Sequence, residues 1–157
     1  MTEVPVEKKP PSGVQEDLVP ERVVDGLPTM YCFETCPFCF KVKALLGSRG
    51  IEYSKVEVDP TFKTQLKWSD WGMVPVFVDV DGTQVTDSNY ILHYIDANDS
   101  GSFPRMGEDS EQDRWMNFSN KILGKSIVAV IYTSYRTSLQ ALDYVTRVDN
   151  FSFGSRL

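Results

Sequence analysis

Three cysteines fall within eight residues, in TMYCFETCPFCF, and the chain carries no others. Cys36-Pro37-Phe38-Cys39 is a CxxC, the spacing of a redox dithiol. Taken with Cys32 the pattern becomes CxxxCxxC with an aromatic residue before the last cysteine, which can hold an iron–sulfur cluster. Three thiolates and His93 would also make the four ligands of a zinc site. Two small thiols can, finally, be plain core packing. Which chemistry applies depends on the elements that hold these residues.

LPTMYCF reads as a short strand, and CPFCFKVKALLGSRG as the helix after it. Pro37 suits the first helical position, where its missing N–H costs nothing. Gly47 and Gly50 lie where that helix would end. IEYSKVEVD alternates in the manner of a second strand. PTFKTQLKWSDWG reads as a short helix from Pro60 to Gly72. VPVFVDVDGTQVT reads as a hairpin with a two-residue turn at Asp81-Gly82. DSNYILHYIDAN reads as a helix capped by Asp87 or Ser88, with Ile91, Leu92 and Ile95 on one face. The order strand, helix, strand, helix, strand, strand, helix is that of the thioredoxin/glutaredoxin-like α/β fold, βαβαββα. Its right-handed crossover makes the first two strands parallel.

This order favours the dithiol. It puts Cys36 at a helix N-terminus, where the helix dipole and free N–H groups favour thiolate and can lower a thiol pKa to about 3.5–7.5. Cys39, one turn on and more buried, can resolve a mixed disulfide on Cys36. An iron–sulfur enzyme using S-adenosylmethionine needs a barrel, typically of about 250 residues when complete. Nothing in the sequence brings His93 near the cysteines, so no metal is expected. Val74-Pro75 opens the third strand, where this fold keeps a cis peptide. That bond would expose Val74 backbone groups to an extended thiol peptide. Asp87 and Ser88, at a helix start, can hold an ammonium and a carboxylate, which the γ-glutamyl end of glutathione offers together.

The 157 residues, with a formal net charge of −6, argue against a nucleic-acid partner, which needs a basic face. No stretch approaches the roughly 20 apolar residues of a membrane span. No signal-peptide pattern is visible. A reducing, cytoplasmic setting is therefore expected. Ser155-Arg156-Leu157 resembles a peroxisomal address and makes that compartment the alternative. The division expected is a disordered arm over 1–25, the glutaredoxin-like domain over 26–98, a linker over 99–108 and a partial helical domain over 109–157. In the last part Trp115, Phe118, Ile122 and Leu123 recur at helical spacing, with a break near Thr133 to Thr137.

CPFC, Val74-Pro75 and Asp87-Ser88 together resemble the glutaredoxin and glutathione-transferase N-terminal domain. TCPFCFKVKALL, YSKVEVDP, MVPVFV, DSNYILHYI, DRWMNFSNKIL and YRTSLQALDYV are similar to the membrane-associated prostaglandin E synthase type 2 family, over most of residues 28 to 147. The resemblance implies a glutathione-transferase-like protein that binds glutathione, with haem in some members. It implies isomerisation of the endoperoxide prostaglandin H2 to prostaglandin E2. Glutaredoxin-type thiol–disulfide exchange and a non-catalytic glutathione- and haem-binding module are the alternatives. Carried over by motif, Cys36 is the catalytic thiol and Cys39 its partner, and Cys36, Val74, Pro75, Asp87 and Ser88 hold glutathione. Phe33, Pro37, Phe38 and Lys41 are neighbours able to support them. Animal members carry Tyr three residues before the CPFC, and this chain has Phe33. The 59 residues after Asn98 are fewer than a full helical domain. Helix faces without partners, and association such as a homodimer, are therefore expected. Gly124-Lys125-Ser126 imitates the end of a phosphate loop but follows a helix, not a strand.

Overall fold

Alternate residues of a strand part to opposite faces of a sheet, and TMYC does so: Met30 and Cys32 enter one core, Tyr31 the other. The computed structural model describes residues 6–8, 26–99, 110–148 and 151. Among them the sheet has five strands, β1 (Val6–Lys8), β2 (Thr29–Cys32), β3 (Ser54–Glu57), β4 (Val76–Val78) and β5 (Thr83–Thr86), in spatial order β1-β5-β4-β2-β3. β2 and β3 are parallel, and β2–β4 and β4–β5 are antiparallel. The expected thioredoxin-like fold is therefore present in β2 to β5.

Helices α1 (Pro37–Ser48) and α2 (Ser88–Asn98) cover one face. Val42, Leu46, Ile91, Leu92 and Ile95 pack there against Met30, Phe77 and Val85. Each such side chain stabilises by about 1.5–3 kcal/mol when fully buried. The ends of the two helices are tied by Arg49, which pairs with Asp96 and, at 3.3 Å, with Asp99. Tyr31 and Trp68 meet edge-on at 5.1 Å in the other core.

Three sequence expectations are corrected. The arm over 1–25 is not unstructured throughout, because β1 pairs antiparallel with β5. Without it β5 would present a row of unpaired backbone groups at the sheet edge. The rest of the arm, and all of the linker but Asp99, lie outside the described residues, as does Ser155-Arg156-Leu157. The helix expected from Pro60 to Gly72 is a single 3-10 turn, Thr64–Leu66. Asp59 accepts from the N–H groups of Thr61 and Phe62, and Lys63 turns left-handed at φ 49°. Side-chain capping and that turn use up the backbone groups a helix would need. Finally, the hairpin closes Asp79 N–H onto Thr83 O at 2.8 Å. Its loop is therefore three residues, Val80 to Gly82, with Gly82 at φ 83°, the αL position such loops require.

Beyond the linker run α3 (Glu111–Phe118), a π-helical turn (Ser119–Leu123), α4 (Gly124–Ile131) and α5 (Tyr135–Leu142). The expected break falls at Thr133, and Ser134 and Thr137 form a reciprocal capping box that restarts the helix. Met116 joins the core under α1 and α2. Trp115 on α3 and Tyr135 on α5 are exposed; unpartnered faces were expected on the helices of Trp115 and Leu142, and Leu142 itself, on α5, is half-buried. No helix among the described residues is long and apolar enough to cross a membrane.

Candidate functional site

Pro37 stands at the first position of α1, and Cys36 is its N-cap, at φ −79° and ψ 117°. The first-turn N–H groups have no partner within the helix, and no side-chain hydrogen bond caps them at Cys36. Cys36 is half-buried and free, whereas Cys32 and Cys39 are fully buried. The Cys39 thiol donates to the Cys36 sulfur, and this brings the Cys36 pKa down to about 7. Burial opposes the shift. The N–H groups of Cys39 and Phe38, and the Lys43 charge, add to it. Burial pushes the Cys39 thiol far up, as does its role as donor to Cys36. Burial also holds Cys32 up at about 12. The result is one nucleophilic sulfur and one neutral thiol beneath it. No group of three or more His, Cys, Asp or Glu able to hold a metal occurs among the described residues.

Cys36 opens into an apolar chamber of about 240 Å³. Phe33, Thr35, Pro37, Lys63, Met73 and Val74 line it from the sheet domain, and Val128, Ile131 and Tyr132 from the helical segment. Met73 and Val74 also line a second, more polar cleft of about 330 Å³. Phe38, Trp71, Pro75, Asp87, Ser88, Asn89, Asn117, Asn120, Lys121 and Lys125 complete that cleft. The Val74-Pro75 bond is cis, as the fold led us to expect, and Val74 precedes the laddered residues of β4.

The structure thus brings Cys36, Val74, Pro75, Asp87 and Ser88 around two adjoining cavities. Asp87 is the N-cap of α2, its carboxylate accepting the Asn89 N–H at 2.8 Å. Its φ of 65° is in the left-handed half of the map, which for a residue other than glycine costs on the order of 1–3 kcal/mol. Ser88 is buried at the first turn. Lys41 is no solvated helix lysine. It donates to Asn89 Oδ1 at 3.0 Å and to Asn120 Oδ1, and its ammonium lies 5.9 Å from the Phe38 ring centroid. Burial lowers its pKa to about 8, opposed by the charges of Asp87 and Cys36. His93 lines neither cavity.

Sequence reasoning missed what the helical segment contributes. A β-carbon on Gly124 would lie 2.9 Å from Phe38 Cε1 and Cζ. Any larger residue there would have to displace the Phe38 ring in the first turn of α1, so glycine lets α4 approach it closely. The signal was in Gly124-Lys125-Ser126, set aside as an imitation phosphate loop. Met73 had no signal beyond being apolar.

Comparison with known proteins follows the same division. Residues 30–103 match the glutathione S-transferase N-terminal domain model. Prostaglandin E synthase 2 of Danio rerio is 28% identical over 167 residues, covering 78% of this chain and 44% of the relative. The Mus musculus protein of the same name is 38% identical over 87 residues, covering 49% of this chain and 23% of the relative. The chain thus spans less than half of either relative. Glutaredoxin 3 of Escherichia coli is 33% identical over 67 residues, 40% of this chain and 81% of the relative. Among solved structures, a possible glutathione S-transferase from Rhodopseudomonas palustris superposes with a TM-score of 0.56 at 23% identity, covering 77% of this chain and 68% of that one. That likeness speaks for the fold.

Proposed function

Because the chain belongs to the glutathione-transferase-like, prostaglandin E synthase 2 family with a glutaredoxin-like N-terminal domain, we propose that it is a glutathione-binding isomerase acting through the Cys36 thiolate. The observation that carries this is the position of Cys36. A sulfur half-ionised near pH 7 opens into an apolar chamber that adjoins a polar cleft at Met73 and Val74.

The residues present fit glutathione. Val74 offers backbone groups to an extended peptide, Asp87 a carboxylate for its ammonium, and Ser88 a helix N-terminus for its carboxylate. Bound there, glutathione would supply a second thiol beside Cys36. For haem the two cavities offer no imidazole, so the ligand would have to be a thiolate, that of Cys36 or of glutathione.

The reaction proposed is conversion of prostaglandin H2 to prostaglandin E2. The Cys36 thiolate attacks one endoperoxide oxygen. An S–O bond forms, the O–O bond breaks, and the other oxygen leaves as an alkoxide that takes up a proton. The ring carbon bearing the sulfur-bound oxygen then loses its proton. Its C–H electron pair becomes the carbonyl π bond as the S–O bond breaks, returning the thiolate. One proton is gained and one lost, with no net oxidation. A low thiol pKa suits the departure of sulfur as much as its attack.

A second reading has its own observation. The hydrogen-bonded Cys36–Cys39 pair is also what a thiol–disulfide oxidoreductase needs. Cys36 would attack a small disulfide and Cys39 would release it. A reducing compartment, which keeps the pair as a dithiol, is part of both proposals. Product analysis after mixing the protein with prostaglandin H2 and glutathione separates them. The isomerase reading expects prostaglandin E2 from wild type and Cys39→Ser but not from Cys36→Ser. Isomer formation by Cys36→Ser at the wild-type rate would refute it. Disulfide reduction lost in Cys39→Ser, with no isomerisation by wild type, would establish the second reading.

A further inference from the structure

The polar cleft carries more charge than its two expected contacts account for. Lys121, in the π-helical turn, and Lys125, in the first turn of α4, both line it together with Asp87 and Ser88. Both are exposed. Neither forms an ion pair or hydrogen bond with an acidic side chain among the described residues. The third lysine nearby, Lys41, is already engaged by the carboxamides of Asn89 and Asn120. The cleft is therefore lined by one carboxylate and by two ammonium groups without an acidic partner among the described residues, with Phe38, Trp71 and Pro75 beside them.

A ligand matching this pattern carries an anion and a cation within a few bonds of each other. An α-amino-acid head group does so. Its ammonium suits Asp87. Its carboxylate suits the lysines together with the first turn of α2. The rest of such a ligand must pass Met73 and Val74, which line both cavities, before its sulfur meets Cys36. We infer that Lys121 and Lys125, supplied by the helical segment, hold the α-carboxylate of the γ-glutamyl group of glutathione. The thiol ligand is thus read at its head by residues from both parts of the chain. This rests on the glutathione reading given above, and it adds the residues that choose a thiol with a free amino-acid end.

The test is glutathione binding by the 157-residue chain, measured by calorimetry and followed through tryptophan fluorescence. Exposed charges in a cleft wall contribute modestly, so the double variant K121Q/K125Q is expected to raise Kd about tenfold, or about 1.4 kcal/mol. The loss should persist with glutathione esterified at its glycyl carboxylate. It should vanish with glutathione amidated at its γ-glutamyl α-carboxyl, because the group the lysines read is then gone. Equal affinity of wild type and double variant for glutathione would overturn the assignment of the lysines. A loss that follows the glycyl carboxylate instead would overturn it as well. A wild-type chain that does not bind glutathione at all would overturn the site reading itself, and this inference with it.

Discussion

Replacing Cys39 by Ala removes the strongest donor to the Cys36 sulfur. Wild-type Cys36 titrates at about 7, against an ordinary thiol value of 9.0, and the Cys39 hydrogen bond is the largest cause. A hydrogen bond to a charged group contributes about 1.5–3 kcal/mol. At 1.36 kcal/mol per pKa unit, its loss moves the titration up by about 1–2 units. With a shift of about 1.5 units, the thiolate fraction at pH 7 falls from about one half to about 3%. Intrinsic nucleophilicity rises with pKa, with a Brønsted slope of about 0.4–0.5, which recovers about fivefold. The alkylation rate at pH 7 should therefore drop only about threefold, whereas above pH 9.5 the variant should react about fivefold faster than wild type. The assay is the pH profile of iodoacetamide labelling, followed by mass spectrometry on the peptide carrying Cys36. The two curves must cross. A variant midpoint still near 7 would refute the argument, and would leave the N–H groups of the first helical turn as the source of the low pKa.

Three further outcomes are expected. Gly124→Ala drives a β-carbon against Phe38 and should cost about 1–3 kcal/mol as overpacking, read as a lower urea midpoint; an unchanged midpoint would show that α4 does not sit on the CPFC loop. Arg49→Leu strips the buried Asp96 of its cation and should cost about 3–5 kcal/mol in the same measurement. Lys41 has a folded-state pKa held down at about 8 by burial. Its contribution to stability is complete above the unfolded value of about 10.4 and is lost as pH falls through 8. Subtracting the stability of Lys41→Met from that of wild type should therefore give a difference that rises with pH between about 8 and 10.4. A flat difference would show that Lys41 titrates normally.

Much of the fold was legible because local signals and global order agreed. Pro37 marked the start of α1, the Ile91–Leu92–Ile95 spacing marked the buried face of α2, and each pointed to the same βαβαββα order. Elements governed by side-chain to backbone competition were not legible. The capping by Asp59 and the left-handed Lys63 look, in sequence, like an ordinary helix start after Pro60. The strand at residues 6–8 depends on a partner some 75 residues away, and three residues carry too little pattern to announce it. That Cys36, Val74, Asp87 and Ser88 would lie together around the two cavities was legible because each sits at a chain position the fold itself marks. Lys121 and Lys125 sit on a π-helical turn and the helix after it. Their facing toward the cleft follows from how that segment docks through Gly124 and Met116, which no spacing rule encodes.

The wall that α4 sets across from Cys36 has a consequence for what can reach the sulfur. On a bare glutaredoxin-like domain, the N-terminal cysteine of the dithiol is open to any partner able to lay a strand along Val74. Here Val128, Ile131 and Tyr132 close the far side of a chamber only about 240 Å³ in size. A disulfide embedded in a folded protein would have to bring its own surface in past them. On the isomerase reading proposed above, the helical segment would then work as a sieve, favouring small apolar molecules that fit this chamber over disulfides embedded in folded proteins.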